Sequence, residues 1–499
     1  MNRIRGRKLF NSNSQVCSMN GVKATTLLIL TVFLAGEWIR PTSAEEREYR
    51  FEGRISQSVL ENYLSRAVTF AELLNPERTG KSLNGSVEDN IRFLKNVGAK
   101  FAGRAIYMWG NETRLPRLLT QAKPIVEMIH QADPDMILQA AAFEIVSSQV
   151  NEIPVPSRVF EEFNLKSEKR NFRYEAMLYP DGKGHNHWRK GSSIPDMSRL
   201  ETRLWFYFLS TGYIDIGIEA IHFGQVEIMD NRDPQHLHWQ DMLSRVRKYA
   251  IGHARRNIVL CDAHVPSGGI VENGKLLFDF HSFPLRIEEV PNRPGHGILK
   301  VGYLDSIYKR SKGGISPSGW TCDHLPYLAE VDNFGSSGRG GQNIGAHWCW
   351  GYDEICWFAH QPEEYRNQWL RYAWKWIRRT DPAGFLQMPA SRTLADPVGK
   401  VRWYYANTRS EKVPFGFNQE DTIKSIWEKK YTPTANYENR NIEGWQIKLN
   451  KDFSVCICIR YYRNRGEKNL VENKLTGIDC FRAESADVKG IVKTLSAHY

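Results

Sequence analysis

Long hydrophobic runs are nearly absent from this sequence. The one present, residues 24–36 ("ATTLLILTVFLAG"), holds 13 residues, short of the about 20 needed to cross a bilayer. Arg3, Arg5, Arg7, Lys8 and Lys23 precede it, and "PTSAEE", with Thr42 and Ala44, follows soon after. A basic start, a short apolar core and small residues at a cleavage point mark a secretory leader. Residues 1–44 are therefore expected to be removed and the mature chain to be secreted or periplasmic, with no stable membrane span.

Paired-cysteine motifs are missing too. No CxxC occurs, so the usual structural zinc sites have no basis. The eight cysteines become seven once Cys17 leaves with the leader, which excludes complete pairing. Cys349 with Cys356, or Cys456 and Cys458 with Cys480, are pairs an oxidising compartment would permit; free buried thiols are the alternative. No glycine-rich phosphate loop follows the first strand-like segment, which disfavours a dinucleotide fold, and no cofactor is expected. There is no repeat of fixed period. A Lys/Arg-rich stripe is also lacking: the leader takes away six Lys/Arg and one acid, lowering the formal charge from +11 to +6. Nucleic acid is not an expected partner, while a mildly basic surface suits an acidic polymer equally well.

What is present is a large core and an alternating pattern. The 499 residues are 41% hydrophobic and 12% aromatic, enough for one large domain with additions. Apolar residues Val59, Leu60, Leu64, Val68 and Leu73 recur at helical spacing, so residues 56–74 are expected as one amphipathic helix. From about residue 98 onward, apolar strand-like runs alternate with amphipathic helices, seven or eight times up to about residue 430. The strand candidates include "AKFAGRAIYMWG", "DMILQAAAFEIVS", "RYEAMLY" (weak), "IEAIHFGQ", "NIVLCDAHV", "KLLFDFHSF" or "GILKVGYL", "PYLAEVDNF" and "GFLQMP". Parallel strands need crossover connections, so the alternation implies a parallel sheet, and eight units fit a closed (β/α)8 barrel, an α/β fold. The expected division is a leader at 1–44, a helical segment at 45–97, the barrel at 98–430 and a small C-terminal module at 431–499.

Sites in such barrels lie at the C-terminal ends of the strands. Those positions hold Trp109 with Glu112 beyond, then Glu144, then Gln225 and Glu227, then Asp262 and His264, Asp279 and His281, and Glu330 and Asp332. A carboxylate on a strand buried on both faces is costly unless paired or solvated in a cleft. Alternation around Val226 would put Gln225 and Glu227 on one side of the chain, toward the mouth.

Two carboxylates facing a cleft are the equipment of glycoside hydrolysis. In this respect the sequence resembles the large (β/α)8 glycoside hydrolase clan whose acid/base Glu ends the fourth strand and whose nucleophile Glu ends the seventh. Glu227 in "GQVE" and Glu330 in "YLAEVD" fall at those positions, although Val226 stands where the clan usually has Asn. The resemblance implies Glu227 as general acid/base and Glu330 as nucleophile or base, with Asp262 as a further catalytic candidate. Glu144, Gln225, His264, Asp332 and Trp109 would contact a carbohydrate substrate. The loop "GQNIGAHWCWGYDEICWFAH" adds Trp348 and Trp350 as sugar-stacking faces, and "HNHW" at 185–188 could form another wall.

Two other classes stay open. The pairs His185/His187, His236/His238, Asp262/His264 and Asp279/His281 hold the residue types of a metal-dependent hydrolase. A barrel that binds carbohydrate without catalysis is the third.

Overall fold

A computed structural model describes residues 48–77, 85–290, 293, 295–333 and 353–428, and the strand backbones between 440 and 476. The expected leader, Trp348, Trp350, Cys349 and Cys480 lie outside the described residues.

Eight parallel strands close into a barrel: β1 (Ala67–Phe70), β2 (Phe101–Tyr107), β3 (Ile137–Ala141), β4 (Ala220–Gln225), β5 (Leu260–His264), β6 (Phe280–Pro284), β7 (Tyr327–Glu330) and β8 (Gly384–Val398). Closure comes from β1, which pairs with β2 on one side (Ala67 opposite Phe101) and with β8 on the other (Val68 opposite Met388). The expected (β/α)8 barrel is thus observed. Helices Val87–Val97, Leu115–Ala132, Leu200–Asp215, Leu237–Ala250 and Glu363–Thr380 cross between strands as the periodicity predicts. Among the described residues the β5–β6 and β6–β7 connections contain no helix, only short strands such as Ile287–Glu289 paired with Gly297–Leu299.

Two expectations fail, and their errors cancel. The helix read across 56–74 stops at Leu64, and Ala67–Phe70 is the first barrel strand. Four consecutive buried residues, Ala-Val-Thr-Phe, do not distinguish a strand from a helical turn by period, and the barrel's need for an eighth strand decides. Conversely "RYEAMLY" is no strand: Tyr174–Met177 forms a 3-10 turn. The segment "IEAIHFGQ" is therefore the fourth strand, as expected, for reasons the sequence did not supply. "GILKVGYL" contributes only the short strand Gly297–Leu299 outside the barrel.

The inner face changes character within two residues on every strand. Ala67, Phe101, Ile137, Ala220, Leu260, Phe280, Leu328 and Phe385 form one apolar cluster, closed from below by Val59, Leu60, Tyr63 and Leu64 of helix Gln57–Leu64. Ser56 caps that helix, accepting from the Val59 N–H at 3.3 Å. Two positions further along, on the same face by strand alternation, stand Thr69, Gly103, Gln139, His222, Asp262, Ser282, Glu330 and Gln387. None is aliphatic. Gly103 is required here by close approach: a Cβ would lie 2.0 Å from Gln387 Nε2.

Beyond the barrel, β8 continues into an antiparallel hairpin with β9 (Val401–Tyr405). Strands Arg440–Ile442, Trp445–Leu449, Val455–Asn464 and Glu467–Thr476 form a separate four-stranded antiparallel sheet. Cys261, Cys322 and Cys356 are free thiols. Cys356, a candidate for pairing with Cys349, instead accepts from the Asp396 N–H at 3.2 Å.

Candidate active site

The polar ring holds two carboxylate centres. Asp262 on β5 accepts from Gln139 Nε2 at 2.6 Å on Oδ1, and from His222 Nδ1 at 2.7 Å and Ser282 Oγ at 2.6 Å on Oδ2. Glu330 on β7 accepts from Arg104 Nε at 2.8 Å and Arg104 Nη2 on Oε1, and from Thr69 Oγ1 at 2.9 Å and Arg392 Nη1 at 3.1 Å on Oε2. Arg104 reaches Glu330 across the barrel because the β2–β3 register shifts between Ala102 and Ile106 and Arg104 itself takes a left-handed backbone, φ 56°.

Charge is distributed unevenly among these groups. Burial alone would raise the Glu330 pKa, but the Arg104 and Arg392 guanidiniums outweigh it and hold the carboxyl below its ordinary value. Asp332, two residues on, accepts from Arg392 Nη2 at 2.6 Å. Burial raises its pKa as well, yet Arg392 and Arg104 bring it down to about 2. Glu354 behaves oppositely. It accepts from the backbone N–H groups of Arg286 (2.7 Å) and Asp332 (3.1 Å), tying the ends of β6 and β7 together, and burial pushes it up to about 8 despite the Arg286 charge.

The remaining expected residues fall around this centre. Glu144, just beyond β3, accepts from the Gln225 backbone N–H at 2.8 Å and from Gln225 Nε2 at 2.9 Å. Gly224 makes room for it: with φ 63°, a Cβ there would sit 1.9 Å from Glu144 Oε2. The strand ends at Gln225 and a 3-10 turn, Val226–Ile228, follows, so the alternation that would align Gln225 with Glu227 stops. Gln225 turns to Glu144, while the half-buried Glu227 accepts from the Ser267 N–H at 3.1 Å. His264 Nε2 stands 3.4 Å from Asp305 Oδ2, and Arg286 holds the other side of that carboxylate. Asp305 was not anticipated; it lies in the long β6–β7 connection, where strand-end reading does not reach.

Trp109 belongs to an aromatic shelf. Its ring lies 5.1 Å from Phe143 and 5.0 Å from Trp188, and it is 38% exposed. Phe143 touches both carboxylate systems, with Arg104 over its face at 5.1 Å and His222 at 5.9 Å. Trp188 Nε1 donates to the Glu144 carbonyl at 3.0 Å. Trp188 lies in the "HNHW" segment expected as a wall of the cleft, whereas Phe143 was legible only as aromatic content near a strand end.

The metal-type pairs do not converge. His236 contacts Asp230, His238 contacts Arg203, and His185 and His187 are exposed. His281 is buried with neither ring nitrogen hydrogen-bonded, and burial lowers its pKa to about 3. Asp279 is salt-bridged to Arg247 at 3.0 Å. Among the described residues no group of three or more His, Cys, Asp or Glu is placed to hold a metal ion. Nor, among them, is any helix long and apolar enough to cross a membrane.

Fold and site together define a (β/α)8 barrel with a charged, hydrogen-bonded ring at its C-terminal end. Neither a comparison with models of known protein families nor one with curated proteins gives a match. Solved structures with similar architecture include glycoside hydrolases. The chain is 10% identical to a Nostoc punctiforme debranching enzyme over 80% of this chain and 87% of that one, TM-score 0.39. It is 10% identical to a cyclic α-maltosyl-(1→6)-maltose hydrolase from Arthrobacter globiformis over 82% and 89%, TM-score 0.40. For a type III pullulan hydrolase from Thermococcus kodakarensis the figures are 12%, 78% and 69%, TM-score 0.38. The fold itself rests on the strand pairing described above.

Proposed function

We propose that the chain is an exported glycoside hydrolase acting on a poly- or oligosaccharide at the C-terminal mouth of the barrel. The observation that carries this is the switch of the inner face from apolar to polar side chains on seven of the eight strands, Gly103 making room on the other, at the level of Asp262 and Glu330 and in contact with the Trp109–Phe143–Trp188 shelf. A ring without one aliphatic side chain inside a barrel costs stability that an aliphatic layer would not, and a site is the ordinary reason for it. Flat aromatic faces beside it suit the C–H faces of sugar rings. The basic, then apolar, then small-residue N-terminal pattern supports export.

Roles follow from which carboxylates retain acceptor capacity. A carboxylate offers about four lone-pair positions. Glu330 fills all of them with Arg104, Thr69 and Arg392, so its part is to fix the two arginines and supply negative charge. Glu227 is half-buried with one partner, and Asp332, with a side chain 21% exposed, is ionised at any ordinary pH. Glu227 is thus assigned as the acid and Asp332 as the ionised partner, with Asp262 fixed beneath. The test is hydrolysis of a polysaccharide panel by the purified chain and by Glu227→Gln and Asp332→Asn. Loss of turnover by about 10²–10⁴ with folding intact is expected; unchanged rates in both would remove the assignment.

The saturation of Glu330 favours a second reading, a barrel that binds carbohydrate without cleaving it. Measurable sugar affinity with no turnover on any substrate would decide for it.

A further inference from the structure

We propose that the loop at residues 181–190 is a binding wall for the anionic groups of an acidic glycan, so that the substrate class is a uronate- or sulfate-bearing polysaccharide. This rests on the carbohydrate reading above. The loop "DGKGHNHWRK" exposes Lys183, His185, His187, Arg189 and Lys190, with Asp181 as its single acid. None of these five side chains is ion-paired with a described carboxylate. Lys183 Nζ meets Asn231 Oδ1 at 2.7 Å, and Arg189 Nη2 meets the Gly110 carbonyl at 2.6 Å. The arginines of the mouth differ, since Arg104 and Arg392 are matched by Glu330 and Asp332. Uncompensated positive charge is therefore concentrated on the wall.

The wall is built rather than loose. Ser192–Ser193 pairs antiparallel with Val146–Ser147, and the Asn186 N–H donates to Ser193 Oγ at 2.9 Å. Asn186 Oδ1 in turn accepts from the Gly191 N–H at 2.6 Å. Arg189 and Trp188 fasten it to the chain just after β2 and β3 through the Gly110 and Glu144 carbonyls. Trp188 belongs to the aromatic shelf, and Arg189 follows it directly, so a ring stacked on the shelf has a cation beside it. Pre-organisation of this kind lowers the ordering cost of binding.

Spacing of charge favours a glycan over a nucleic acid. A nucleic acid brings a phosphate on every nucleotide, which would place anions over Glu144, Glu227 and Asp332 as well as over the wall. A polysaccharide charged at intervals can put a neutral ring over the mouth and a carboxylate or sulfate against the wall.

The full chain and a Lys183→Glu/Lys190→Glu double variant are compared for affinity to hyaluronan, which carries a carboxylate on alternate sugars, κ-carrageenan, which carries a sulfate on alternate sugars, dextran and single-stranded DNA at low and high salt. The expected result is a preference for an acidic polysaccharide over dextran that falls about tenfold in the double variant and weakens with salt. Binding of hyaluronan but not κ-carrageenan, or the reverse, identifies the anion. Dextran bound as well as the acidic polymers, an unaltered preference in the variant, or DNA bound as tightly as the better acidic polysaccharide would overturn the inference alone. Failure of every polysaccharide to bind would instead overturn the carbohydrate reading beneath it.

Discussion

Two buried glutamates, each facing two arginines, sit at opposite ends of the barrel and behave differently. Glu219, immediately before β4, has Arg255 at 3.1 Å and Arg256 at 3.3 Å, yet burial prevails and its pKa rises to about 7. Glu330, the last residue of β7, has Arg104 and Arg392 with Thr69 besides, and there the cations prevail. At the N-terminal pole the arginines are partly spent elsewhere, because Arg255 and Arg256 both donate to the Pro134 carbonyl, at 2.8 and 2.9 Å. At the mouth Arg392 is shared with Asp332, but Glu330 accepts four side-chain hydrogen bonds where Glu219 accepts one, from Arg255. An ion pair's character is thus set by how many donors reach the carboxylate, and composition alone does not reveal it.

The largest effect expected from this contrast is on stability. Glu330→Ala leaves Arg104 and Arg392 buried with fewer partners and should cost about 3 kcal/mol or more. Glu219→Gln should cost clearly less, since its charge is already opposed by burial. Denaturant midpoints of the two variants check the order, and equal losses would erase the distinction. Gly103→Ala should follow, destabilising by about 1–3 kcal/mol as Gln387 is displaced from the ring, measured the same way.

The pH dependence comes next. Glu219 and Glu354 have raised folded pKa values, about 7 and about 8, so their contribution is present below the ordinary glutamate value of 4.5 and is lost as pH rises through those values. Glu330 and Asp332 are depressed; their contribution is present above ordinary carboxylate values and disappears as pH falls toward about 2 for Asp332. Melting temperature should therefore decline from about pH 4.5 to about pH 8 and level off above, and Glu354→Gln should decline less, by about 2–4 °C. A parallel decline would exclude Glu354 as the source. The smallest effect is reserved for Trp109→Ala: with 38% exposure it should leave the melting temperature within about 1 °C while weakening sugar binding about tenfold. Calorimetric titration reads the second quantity.

The barrel was legible in the sequence because β2 to β8 lie in apolar or alternating runs, most of them separated by amphipathic helices. β1 was not, since its four buried residues follow a helix almost directly and carry no period of their own, whereas the equally short β7 stands apart from any helix. The polar ring was half legible. Asp262 and Glu330 were visible as acids at strand ends, whereas Thr69, Gln139, His222, Ser282 and Gln387 were ordinary polar residues until the closed barrel aligned them. Arg104 and Arg392 escaped notice because one depends on a bulge in β2 and the other on a strand that outruns the barrel. Neither signal lies in residue type.

That overlong strand has an outcome of its own. Arg392 stands one residue past Ser391, where β8 last meets β1, and opposite Tyr404 in the hairpin with β9. The cation that clamps Glu330 and Asp332 is thus mounted on a projecting arm, not on the cylinder. Lengthening or shortening the turn between Val398 and Val401 offers a handle for retuning the two acids from outside, leaving the scaffold's eight-fold closure alone.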